Sequence, residues 1–164
     1  MSDLEDLTEL FKTLGARNPE SWAGSQVREG FNQLGRFLFL RQAWRNVQDE
    51  DDHSWIQAEI TNAAKNPEAP CAGIGPALQR LLDKGADPQD ITDVVRVKQY
   101  ELLFRLCYLL SDPNLPEPEL QDFSWALFQV DGEGMPVCPI NMLHESVLEI
   151  DPTGREMCPR KSSV

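Results

Sequence analysis

The chain has 164 residues, 41% of them hydrophobic and 26% charged, a balance that suits one globular domain with its own core and excludes wholesale disorder. Twenty-seven acids against fifteen Lys and Arg give a formal net charge of −12. That charge disfavours direct contact with nucleic acid or with an anionic membrane, and it suits a basic protein partner or a cationic ligand.

Ser2 and Glu5 have capping-box spacing, and Leu4, Leu7, Leu10, Phe11 and Leu14 recur at helical intervals up to a natural C-cap at Gly15. Residues 16–24, with Asn18-Pro19, read as a linker containing one turn around Trp22. A long helix is predicted from Ser25 to Gln48, with Val27, Phe31, Leu34, Leu38, Leu40, Trp44 and Val47 along a broad apolar stripe. It also carries Arg28, Arg36, Arg41 and Arg45, which either line an anion pocket or scatter around the helix and pair with the abundant acids. Gly30 and Gly35 weaken this helix or admit a close neighbour.

The acid run Asp49–Asp52 follows one predicted helix and precedes the next, from His53 to Lys65, which Asn66-Pro67 ends. A Pro/Gly/Ala loop leads to a short helix from Pro76 to Lys84. Asp87-Pro88-Gln89-Asp90 then combines an N-cap Asp, a first-position Pro and an acid in the first turn, and so starts a helix that runs to about Leu110. Its second half is apolar on nearly every side, as expected of a central helix. Residues 112–122 form a Pro- and acid-rich connector. Residues 123–130 and 135–140 read as a β-hairpin across Asp131-Gly132-Glu133-Gly134, with Pro136 and Pro139 confining the second strand to a sheet edge. A short helix is predicted within 142–150, and residues 151–164 read as a tail. The expected fold class is therefore mainly α: an irregular bundle of about five helices over 1–111, with a small C-terminal hairpin and helix over 123–150 packed on the same domain.

Cys71, Cys107, Cys138 and Cys158 are widely spaced, with no C-x-x-C and no histidine at a zinc-site distance. The acidic N-terminus lacks the pattern of a signal peptide, and no apolar run is long enough to span a bilayer. Reduced thiols and a cytoplasmic location are the expectation.

Asp87, Asp90 and Asp93 are the sharpest candidates for chemistry. Asp90 and Asp93 share a helix face, and paired carboxylates can hold Mg²⁺ or Mn²⁺, although the same residues serve equally as helix caps. All-α pyrophosphohydrolases use two such pairs on adjacent helices. This chain resembles that pattern in one pair only, so the family is not carried over. His144-Glu145 is the second candidate, but the H-E-x-x-H zinc motif would need a histidine where Leu148 stands. Gly73-Ile74-Gly75 does not complete a phosphate-binding motif, there is no G-x-S-x-G, and no cofactor is expected.

Two functional readings follow. One is a non-enzymatic interaction or regulatory module, of which immunity and antitoxin proteins are one class, using an acidic surface and the aromatic anchors Trp22 and Trp125 with His144 and Glu145. The alternative is a metal-dependent hydrolase built on helical carboxylates. A homodimer is also compatible with the apolar helix.

Overall fold

The computed structural model describes residues 3–112, 115–120 and 122–160. Mainly α structure with one C-terminal hairpin is what the chain adopts, and two compact units organise it: Met1–Asn46 with Leu102–Val164, and Val47–Glu101.

In the first unit, α1 (Asp3–Thr13) and α2 (Pro19–Glu29) pack as a pair. Ser2 of the expected capping box lies outside the described residues. The expected linker at 16–24 is the start of α2: Asn18 is the N-cap residue and Pro19 sits in the first turn, where a missing N–H costs nothing. The long helix expected over 25–48 is two helices. Gly30 adopts φ 75°, ending α2 with a left-handed C-cap, and Asn32 then accepts a hydrogen bond from Gly35 N–H to start α3 (Gln33–Ala43). A 3₁₀ turn at Trp44–Asn46 follows.

Phe11, Trp22, Ala23 and Phe37 make the core of this unit. Phe37 meets the rings of Phe11 and Trp22 edge-on, at centroid separations of 5.6 and 5.5 Å. The C-terminal segment is tied to the same core. α7 (Leu143–Ser146) and a 3₁₀ turn at Leu148–Ile150 precede Asp151, which is buried and accepts hydrogen bonds from Thr153 Oγ1 (2.8 Å) and the N–H of Met157 (2.9 Å). Arg17 donates to the carbonyls of Glu149 and Gly154, and Trp44 Nε1 donates to Val147 O at 2.8 Å. The expected tail is thus anchored through Asp151; residues 161–164 lie outside the described residues.

The second unit packs α4 (Ser54–Lys65), α5 (Ile74–Asp83) and the first half of α6 (Pro88–Ser111) around Ile56, Leu78 and Ile91. Helices α4 and α5 approach so closely that a Cβ on Gly75 would collide with that of Ala63.

β1 (Phe128–Val130) and β2 (Pro136–Pro139) pair antiparallel, Phe128 opposite Pro139 and Gln129 opposite Cys138, with an irregularity after Gln129. The strands are shorter than the sequence pattern suggested, because the two prolines of β2 withhold ladder donors.

Candidate interaction surface

The first half of α6 is a closed polar assembly. Thr92 is wholly buried; its hydroxyl accepts from Trp55 Nε1 at 3.1 Å and lies 3.0 Å from His53 Nδ1. Arg96, also buried, donates to Gln48 O at 2.7 Å, and Gln48 N–H donates to Gln99 Oε1 at 2.6 Å. Gln89 reaches both Glu50 O and Asp93 Oδ1. These bonds fasten residues 48–53, including the acid run, onto α6. They satisfy polar groups that would otherwise be costly to bury.

The candidate metal residues belong to this structural pattern. Asp87 Oδ1 accepts from Gln89 N–H at 2.8 Å, as an N-cap does, and Asp93 is engaged by the Gln89 side chain. Asp90 is exposed in the first turn. Among the described residues, no three His, Cys, Asp or Glu side chains gather into a group that could hold a metal ion. Asp52 belongs to the same capping chemistry. Hydrogen bonds from Ser54, its side chain and then its backbone, hold the Asp52 carboxyl below its ordinary range.

The second half of α6 is different in kind. Cys107 is buried, flanked one turn away on either side by half-buried Leu103 and Leu110. Burial pushes the Cys107 thiol up to about 11. Leu102, Leu106 and Leu109, spaced four and three apart, form the adjacent stripe and stand open, with 58%, 47% and 48% of their surface exposed. The expectation of a central, covered helix fails here: the Cys107 side faces inward, and the described chain leaves about half of each leucine in the next stripe exposed.

On the opposite flank, Tyr108 and Phe104 face His144, with ring centroids 4.8 and 6.2 Å from the imidazole. His144 Nδ1 is buried with no hydrogen-bond partner among the described residues. Trp125 Nε1 donates to Leu109 O at 2.9 Å, beside Phe123, whose ring centroid is 6.4 Å away. The hairpin adds exposed Phe128, Val130, Met135 and Val137. Its turn is closed by Asp131, which accepts from the backbone of Met135 and Glu133; those bonds hold its carboxyl below the usual carboxylate range.

Of the four aromatic and polar anchors read from the sequence, Trp125 is exposed and beside Leu109, and His144 is half-buried against α6. Glu145 is exposed on α7. Trp22 is a correction: it is packed between Phe11 and Phe37 in the core, unavailable to a partner. The leucine stripe escaped the sequence reading, which assigned it to the interior. The one available signal was Glu101 and Arg105, which mark the wet side of the helix but not which apolar side is covered.

Compared with protein-family models, curated proteins and solved structures, the chain matches none. Among the described residues, no helix is long and apolar enough to cross a membrane.

Proposed function

We propose that this protein is an interaction module that docks a basic, amphipathic segment of another protein on the Leu102/Leu106/Leu109 stripe of α6. The open stripe carries the reading. Exposed leucines scattered singly are ordinary, but three in register on one helix face offer a continuous apolar seat, as in helix-in-groove recognition. Charge supports the choice of partner. Residues 102–140 hold six acids and one cation, Arg105, within a chain of net charge −12. A second copy would carry the same charge and be repelled, whereas a basic segment would be drawn in at long range.

A synthetic helix-forming peptide with leucines at i, i+4 and i+7 and lysines elsewhere tests this by fluorescence anisotropy, against a peptide of the same composition with the leucines scrambled. The striped peptide is expected to bind at least tenfold more tightly, a difference of about 1.4 kcal/mol. Binding should also weaken as salt rises, since added ions screen charges beyond roughly 10 Å at about 0.1 M. Equal binding of both peptides would show charge attraction alone and contradict the docking reading. Light scattering across a concentration series separates self-association, which would reassign the stripe to a homodimer.

A further inference from the structure

A small cleft of about 120 Å³ opens between the α2–α3 turn and β2, lined by Gly30, Phe31, Asn32, Arg36, Cys138, Pro139 and Asn141. Arg36 is the unusual member. Only 6% of it is exposed, yet among the described residues it makes no ion pair. Its Nε donates to Asn141 O at 2.9 Å and its Nη1 to Ser146 Oγ at 3.3 Å, while Nη2 hydrogen-bonds no described residue. Desolvation lowers its pKa, and Glu145 and then Glu149 act against that from a distance. An arginine does not give up its proton in a protein, so a mostly buried guanidinium with no acid in ion-pair contact gains from a counter-charge brought against it.

We propose that the Arg36 cleft binds a carboxylate group, which guanidinium Nη2, the nitrogen left without a described partner, holds through a charge-assisted hydrogen bond. Glu145 and Glu149 already act on the guanidinium, so a doubly charged phosphate meets more repulsion there than a singly charged carboxylate. Phe31 and Pro139 give an apolar wall for the carbon chain behind it, and the Asn32 and Asn141 amides give polar rims. This site is separate in its residues from the leucine stripe and stands or falls without it.

Titration of ¹⁵N-labelled protein with sodium acetate, at ionic strength held constant with sodium chloride, tests the cleft. The Arg36 Nε–H and Asn141 side-chain resonances are expected to shift saturably, with half-saturation on the order of 1–10 mM. Inorganic phosphate should bind at least tenfold more weakly. A short acetylated peptide with a free C-terminus, compared with its C-terminal amide, identifies the source. Tighter binding than acetate by the free acid alone assigns a peptide end, and binding equal to acetate assigns a small organic acid. Arg36→Lys should abolish saturation with the fold intact. If that variant does not fold, Cys138→Leu, which narrows the cleft and leaves Arg36 in place, should weaken acetate at least tenfold. No saturable shift in the parent, phosphate binding more tightly than acetate, or unchanged binding in Cys138→Leu would each overturn the proposal.

Discussion

Helix α6 has two halves that use their residues in opposite ways. In Pro88–Glu101 the buried positions include polar Thr92 and Arg96, each held by named hydrogen bonds, while Val94 and Val97 face water. In Leu102–Ser111 Cys107 alone is fully buried, and leucines and aromatics make up the exposed face together with Arg105. Hydropathy therefore misassigns both halves. The polar half is closed by its network, and the apolar half is open. Burial of a polar group follows from available partners, whereas exposure of an apolar stripe leaves a surface with free energy to release on contact.

Substitutions separate the two halves in order of effect. Ile91→Ala removes a core side chain packed with Ile56 and Leu78 and is expected to cost about 2–5 kcal/mol in urea unfolding. Thr92→Val keeps the shape but strips the hydroxyl that accepts from Trp55 and touches His53. A loss of about 1–3 kcal/mol is expected, read by the same unfolding midpoint. Leu106→Ser, in the open half, should change stability by no more than about 0.5 kcal/mol. A loss there as large as that of Ile91→Ala would mean the stripe is covered.

The hairpin gives a pH test of small amplitude. Asp131 is held below its ordinary pKa by N–H donors, so its contribution is complete above the unfolded-state value and is lost as pH falls through the lower folded value. Protection of the Glu133 and Met135 amides, measured as the exchange rate relative to that of the unstructured chain at the same pH, should stay constant down to about pH 4 and fall only below it. Opening at pH 5–6 would show that Asp131 does not close the turn.

Much of the second unit was legible because its signals are local. Asp87-Pro88 starts α6 as read, and Asn66 and Gly85 close α4 and α5 near the expected positions. The first unit was harder. The apolar stripe from Val27 to Val47 continues across the break at Gly30, so periodicity reported one helix where a left-handed residue makes two. Asn18-Pro19 carries both a turn signal and a helix-start signal, and packing of Trp22 against Phe11 chose the second. Asp151 gives no local hint that its carboxylate is buried by residues 153–157. As for the candidate surface, residue type singled out Trp125 and His144 in the sequence, and the leucines of α6 carried no such mark. Covered and uncovered leucines look the same in a one-dimensional pattern.

The most direct measurement is the affinity of the striped basic peptide for three proteins: the parent, Leu106→Ser and Leu81→Ser. Leu81 on α5 is as exposed as Leu106, at 44% against 47%, so it controls for lost apolar area in general. Docking on α6 predicts at least a tenfold loss for Leu106→Ser and none for Leu81→Ser. Equal affinities for all three would contradict it.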